Sequence, residues 1–397
     1  MDKKRRILPV IVIAQFFCTS LWFAGNAVMK DLVLEFHLPE NSLGHLTSSV
    51  QFGFITGTLC YAIFTITDRF SAPIVFFISA LVAALFNVGI IIEGQNLTSL
   101  LLLRFFTGFF LAGIYPVGMK IAADNYDKGL GKVLGFLVGA LVLGTAFPHL
   151  LRSITQTMPW KFVLILTSVF CVYGGSIILA GVSIRGGRKS QKPDMKMAFK
   201  VFGNKDFRTA SFGYFGHMWE LYTFWAFVPV ILSTCQNIHP EYNLNIPVLS
   251  FVIISVGCLA CIISGYLSQK YGTKKIAITA LFISCICCII SPLLFFIFSK
   301  SVLILFLILW GMAVVADSPL FSTLVAQNAP VAYKGTALTI VTCIGFSITI
   351  ISIQLFTFLS YSMSSIYIYM LLAVGPILGL IALYKPKKNI AEQKTRQ

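Results

Sequence analysis

"IRGGRKSQKPDMKMAFKVFGNKDFR", residues 184–208, is the one long polar stretch in a chain of 397 residues that is otherwise apolar almost throughout. It carries Arg185, Arg188, Lys189, Lys192, Lys196, Lys200, Lys205 and Arg208, opposed only by Asp194 and Asp206. On both sides of it apolar residues run in blocks of about twenty, the length that crosses roughly 30 Å of hydrocarbon at about 1.5 Å per residue. Hydrophobic residues make up 57% of the chain and charged ones 11%. Soluble domains hold about 45–50% and about 25% respectively, so no water-soluble core accommodates this composition. The sequence describes an all-α membrane protein.

Counting outward from the polar stretch gives six apolar segments before it, at about 7–29, 45–66, 72–93, 97–122, 129–153 and 159–183. Six more follow, at about 209–234, 247–269, 275–298, 301–328, 333–359 and 362–384. The expected organisation is a six-helix bundle over 1–183, a basic linker over 184–208, a second bundle over 209–384 and a tail over 385–397. The first segment follows "MDKKRR" and so has the charged front of a secretory signal. Its length, Gln15 and Asn26, and the lack of a small-residue cleavage site mark it instead as a retained helix.

Twelve spans return both chain ends and the linker to one side. Lys3, Lys4, Arg5, Arg6, Lys270, Lys274, Lys275, Lys385, Lys387 and Lys388 lie there with the linker's cations. The other side has little beyond Lys30, Arg152, Lys161 and Lys300. Excess Lys and Arg mark the cytoplasmic face, which puts both termini inside a cell inner (plasma) membrane. The net charge of +16 is thereby a topology and lipid-headgroup signal, not a nucleic-acid footprint. The ten cysteines form neither a disulfide framework nor a metal pattern, and read as small packing residues.

Landmarks recur across the linker. Pro116 in "AGIYPVG" of span four and Pro319 in "ADSPLFS" of span ten are 203 residues apart. Asp68 in "TDRFSAP" and Gln269 in "SQKYGTKK" are 201 apart, and Gly131 in "GLGKVLG" and Gly335 in "YKGTALT" are 204 apart. Three landmarks at one spacing near half the chain length indicate two six-helix repeats in parallel orientation.

With those motifs the chain resembles the major facilitator superfamily along nearly its whole length. The family's loop after its second helix, Gly-x-x-x-Asp-Arg/Lys-x-Gly-Arg/Lys-Arg/Lys, is kept as Asp68 and Arg69 in the first half, with Phe64 and Ser71 at the glycine positions. The second half keeps Gly265, Lys270, Gly272 and Lys274, with Gln269 in place of the acid. The resemblance implies a cytoplasmic latch shared by Asp68, Arg69 and Lys270. "RFFTGFFLAGIYPVG" matches the fourth helix through Arg104, Gly108, Ala112 and Gly113. Span five, with Gly135, Gly139, Gly144 and Pro148-His149, lacks the Gly-Pro pair and trailing glycines of the antiporter motif, so exchange is not implied.

An ionisable side chain inside a span costs at least ~2.5–3.5 kcal/mol on insertion scales, so it faces a cavity or a partner. Glu220 sits near the middle of span seven and Asp317 near that of span ten. His217 and Glu220, at i, i+3, share a helix face and would form a proton relay, since a cavity carboxyl alternately wetted and occluded takes up and releases a proton. The bland alternative is that Glu220 only fixes packing. The first half supplies cations: Arg104, His149 and Arg152, with Arg104 alternatively a brace between helices, and Lys120 snorkelling to headgroups. Gln15, Thr19, Trp22 and Asn26, at i, i+4, i+7 and i+11, make one face of span one and read as a cavity wall. Gln51, Tyr115, Trp219, Tyr222 and Trp225 are further lining candidates.

No Walker loop, nucleotide-binding domain or cofactor motif is visible in the sequence, so an ion gradient is the expected energy source and no cofactor is expected. A membrane enzyme would need clustered nucleophiles or metal ligands at one interface; a non-transporting sensor is the other rival. The expectation is a monomeric, proton-coupled carrier of a small organic solute with an anionic group, working by alternating access. The alternative is proton-driven efflux of cationic or amphipathic compounds held by Glu220 and Asp317.

Overall fold

The computed structural model describes residues 3–39, 41–126, 130–155, 157–184, 201–296, 299–330, 334–362 and 366–384. Among them every regular element is a helix. The first half contains α1 (Lys3–Thr19), α2 (Ala24–Ala27), α3 (Met29–Glu35), α4 (Ser42–Ile63), α5 (Ile66–Arg69), α6 (Ala72–Val88), α7 (Leu97–Leu111), α8 (Tyr115–Asn125), α9 (Leu130–Ile154) and α10 (Lys161–Gly181). The second contains α11 (Lys205–Ile238), α12 (Ile246–Ser255), α13 (Gly257–Tyr271), α14 (Thr273–Ile290), α15 (Lys300–Ala316), α16 (Ser318–Asn328), α17 (Lys334–Ser362) and α18 (Val374–Leu383). A 3-10 segment, Ile366–Ala373, leads into α18.

Ten spans among the described residues are long and apolar enough to cross a membrane, with α7–α8, α12–α13 and α15–α16 each counted as one. They are the third to twelfth expected from the sequence. The first two fall short for different reasons. Span one breaks after Thr19, leaving Ile7–Thr19 as a shorter apolar helix. Span two, α4, has 22 residues but carries Ser42, His45, Thr47, Ser48, Ser49, Gln51, Thr56 and Thr58. Both pack in the middle of the molecule, where Gln15, Trp22, Thr47 and Gln51 are buried. Elsewhere the outward faces keep large apolar side chains, among them Leu85, Leu102, Phe282, Leu305 and Phe358, each more than half exposed. Such a surface is unsustainable in water and suits hydrocarbon: this is an integral membrane protein.

The repeat is built into the packing. Gly108 of α7 lies against the Val50 carbonyl of α4, and Gly311 of α15 lies against the Ile253 carbonyl of α12. Both members of the second pair stand 203 residues beyond those of the first. A Cβ at either glycine would collide with main chain, which cannot move aside as a side-chain tip can, so the helices meet backbone to backbone. Across the halves, α4 packs on α17, and α9 packs on α12 and α13. One buried apolar cluster runs through both halves. A second, around Leu32, Leu100 and Trp160, lies in the first half.

Span seven starts earlier than the apolar pattern indicates. Asn204 caps α11, its side chain accepting from the Asp206 and Phe207 amides at 2.9 and 3.2 Å. Lys205 to Arg208, assigned to the linker from the sequence, are therefore helical. The rest of the linker's cations, Arg185 to Lys200, and the tail from Lys385 lie outside the described residues.

Candidate functional site

The break in span one organises the first half. The chain turns over Ser20–Phe23 between α1 and α2, which frees main-chain carbonyls inside the membrane, where they need donors. Arg104 of α7 supplies them. Its guanidinium donates to Leu21 O at 3.1 Å, Trp22 O at 2.5 Å and Asn87 Oδ1 at 3.4 Å. Asn87 of α6 in turn donates to Ser168 Oγ at 3.0 Å, and to Thr167 Oγ1 and Leu164 O at 3.3 Å, all on α10. Four spans are joined by one buried polar network.

That geometry bears on two expectations. Arg104 stands where a brace between helices would, its two terminal nitrogens bonded to the carbonyls that the break exposes. The polar face of span one does not continue as one stripe. Thr19 Oγ1 donates to Gln15 O at 2.8 Å, and Asn26 Nδ2 donates to Thr47 Oγ1 at 2.8 Å. On this face Gln15 and Trp22 keep fully buried polar atoms without a partner among the described residues. Arg152 pairs with Asp31 at 2.8 Å. His149, on the same helix, is buried with Nε2 unpartnered among the described residues.

The second half separates the residues that sequence spacing had joined. Glu220 Oε1 accepts from Ser284 Oγ at 2.5 Å, Trp310 Nε1 at 2.8 Å and Cys288 Sγ at 3.1 Å. Its partners lie on α14 and α15, so it is tied inside its own half and makes no relay with His217. His217 meets Asp317 instead, Nδ1 to Oδ1 at 2.8 Å, both residues 1% exposed. This is an ion-pair separation; neither carboxylate oxygen has a well-aligned donor among the described residues, and His217 Nε2 has no partner there either. Asp317 occupies the step between α15 and α16. Nothing in the sequence marks Ser284, Cys288 or Trp310 as partners of Glu220, since each sits in an apolar run with no local spacing to it.

Between the halves the centre is filled with rings. Trp22 borders Phe54 at 4.9 Å, Phe346 at 5.6 Å and Tyr222 at 5.7 Å between centroids. Tyr222 borders Phe346 and Trp225, each at 5.2 Å, and Phe54 meets Phe346 at 4.5 Å. Trp22, Tyr222 and Trp225 were legible as lining candidates; Phe54 and Phe346 were not, among 36 phenylalanines. Gln51, one turn before Phe54 on α4, is fully buried with both amide atoms unpartnered among the described residues. Tyr115 opens α8 and packs against the main cluster, half-buried. Trp219 turns away, donating to Leu371 O at 3.1 Å.

The halves also touch at both ends. At one, Gln354 of α17 donates to Gly44 O at 3.1 Å and Ser48 Oγ at 2.9 Å on α4. At the other, Lys132 lies 4.7 Å over the Tyr266 ring. A cavity of about 110 Å³ at the latter end is lined by Thr58, Tyr61, Pro116, Lys120 and Thr339. Asp68 pairs there with Lys120 of its own half; among the described residues no ion pair joins it to Lys270, the partner in the shared latch. Lys270 lies over the ring of its neighbour Tyr271 at 5.2 Å, and Arg69 Nε donates to Thr65 Oγ1 at 3.1 Å. Lys120 is therefore an ion-pair partner, not only a snorkelling side chain.

Comparison with known proteins agrees with this architecture. An MFS-type transporter of Aspergillus candidus, acdC, is 26% identical over 148 residues, 36% of this chain and 29% of that protein. The match thus spans under a third of the relative's length. A bacterial homologue of the human lysosomal transporter Spinster, solved inward-facing and unoccupied, superposes with a TM-score of 0.72 at 13% identity, covering 96% of this chain and 97% of that one. A mutant of the nucleoside transporter NupG gives 0.72 at 14% identity, covering 96% and 100%. At such identities the likeness concerns the fold alone. A model of the Major Facilitator Superfamily matches residues 11–353, and the chain belongs to that superfamily.

Proposed function

We propose that this protein is a secondary active transporter that moves a small organic solute by alternating access and takes up protons at the His217–Asp317 pair. The observation that carries the reading is the pair itself: buried, 2.8 Å apart, with Nε2 and Oδ2 open. A carboxylate and an imidazole at that separation exchange protonation states with small movements. The step between α15 and α16 gives Asp317 a place where such a movement is possible. Other titratable groups near the pair are Tyr214, whose ring is 6.2 Å from His217, Glu220 one turn along α11, and Cys261, whose thiol donates to Val315 O at 3.4 Å. Glu220, held by three donors, fits a fixed role better than a titrating one.

Two parts of the proposal come from chain organisation. The halves move as bundles, the first over 1–183 and the second from the start of α11 to residue 384, joined by the basic linker, in a monomer with both termini cytoplasmic in a cell inner membrane. Cysteine introduced at Ser190, with the native cysteines replaced, is expected to react in intact cells only with a membrane-permeant reagent. With Arg104 bonded to main-chain carbonyls, an amphipathic or uncharged solute, which needs no counter-charge, fits better than an anionic one.

The test uses proteoliposomes containing a pH-sensitive dye, challenged with a metabolite and drug library. At least one solute that raises the protein's thermal midpoint should move protons with it, and Asp317→Asn should abolish the proton movement while keeping the midpoint shift. Solute movement with no proton flux in the unmodified protein rejects the coupling.

A further inference from the structure

Trp22 and Trp225 stand 203 residues apart, at equivalent places in the two repeats. Both flank Tyr222, at 5.7 and 5.2 Å. Both are at most 1% exposed, and neither indole N–H finds an acceptor among the described residues. Phenylalanine would fill such ring positions without leaving a donor unpaired in a dry interior, so packing alone does not account for two such residues. Gln51 adds an amide donor and an amide acceptor, also buried and unpartnered, from the turn of α4 that precedes Phe54. Gln15 adds another such pair two turns before Trp22.

The open groups define a chemistry. An indole N–H only donates; a carboxamide donates and accepts side by side. The surrounding surface is made of ring faces, with Trp22 stacked on Phe346 at 28°. A carboxylate buried here would want a free cation, but Arg104 is bonded to the Leu21 and Trp22 carbonyls. A quaternary cation would gain from ring faces, yet two indole donors turn the positive end of their dipoles on it. We infer that the bundle interface binds a planar, uncharged aromatic solute with a lactam-type edge. Its carbonyl accepts from the two indoles, its N–H donates to the Gln51 amide oxygen, and its ring inserts between Trp22 of the first half and Phe346 and Tyr222 of the second. Rings from different halves separate when the halves rock, so this assignment rests on the transporter reading for its entry route.

The experiment is calorimetric titration of the full chain in lipid nanodiscs with four bicyclic probes. They are quinolin-2-one, its saturated analogue decahydroquinolin-2-one, quinoline-2-carboxylate and N-methylquinolinium. Quinolin-2-one is expected to bind at least about tenfold more tightly than each of the others. Trp22→Phe and Trp225→Phe keep the ring and remove the donor, and each should weaken quinolin-2-one about tenfold, the scale of one lost hydrogen bond. Their thermal midpoints should match that of the unmodified protein, which separates a lost contact from a lost fold. A charged probe that binds as well as the lactam, no lactam binding, or both variants binding unchanged overturns the assignment. Counterflow in proteoliposomes separates it from the transporter reading. Exchange of a charged probe but not the lactam leaves transport standing and removes the substrate class. Binding of the lactam in a protein that exchanges none of the probes leaves the site standing and counts against transport.

Discussion

Arg104 and Asp317 are each 1% exposed and sit in spans four and ten, which the repeat makes equivalent. Their surroundings are opposite. Arg104 reaches across to carbonyls exposed by the break in span one, and the network continues through Asn87 to α10. Asp317 sits at a break in its own span, beside a single imidazole, with carboxylate positions left open. Burying charge costs several kcal/mol per ion unless hydrogen bonds offset it. Where several hydrogen bonds supply the offset, as at Arg104, the charge joins helices. Where it is incomplete, as at Asp317, the remaining free energy is available to a proton or a solute. Glu220, as deeply buried as Asp317 and one turn from His217, falls on the Arg104 side of that division because three donors converge on it.

The largest effect should come from removing the brace. Arg104→Leu leaves the Leu21 and Trp22 carbonyls and the Asn87 amide oxygen without their donor, and should cost about 3–5 kcal/mol, read as unfolding in detergent. Folded protein with an unchanged midpoint and no transport would break the comparison by placing Arg104 in the site. Next is Glu220→Gln, which disturbs three hydrogen bonds and should cost roughly 1–3 kcal/mol while gradient-driven accumulation persists. Loss of accumulation at unchanged stability would move Glu220 to the Asp317 side. Asp317→Asn should change stability by less than about 1 kcal/mol, because the carboxylate it replaces has no well-aligned hydrogen-bond donor to lose among the described residues. Proton-driven accumulation should nevertheless disappear.

What the sequence made legible follows from what each feature depends on. Span length is local and the repeat is periodic, so ten of the twelve expected spans are found where composition put them, and the 203-residue offset returns in the Gly108 and Gly311 contacts. The break after Thr19 could not, because "TSLWF" contains neither proline nor glycine; its stability comes from Arg104, 83 residues beyond Leu21. The same reason defeated the relay. Spacing of i, i+3 placed His217 beside Glu220, yet its partner, Asp317, comes from another span. Of the candidate lining residues, Trp22 and Trp225 were visible individually, and only the repeat offset makes them a pair.

The smallest effect concerns the end of the molecule marked by Asp68. The family resemblance implied a latch between halves, but the acid meets Lys120, which belongs to its own half, and both side chains are about a third exposed, at 31% and 32%. An ion pair so placed is screened by solvent, and exposed pairs are worth about 0.2–1 kcal/mol. A double-mutant cycle with Asp68→Asn and Lys120→Met should therefore return a coupling within that range, shrinking as salt is raised. Turnover in Lys120→Met should be close to that of the unmodified protein, since the Asp68–Lys120 pair joins α5 to α8 within one half. A pronounced slowing in Asp68→Asn that Lys120→Met does not reproduce would point to a partner in the second half. That result would restore the latch and place a charge at the Asp68 end in the class of groups that switch between states rather than hold one.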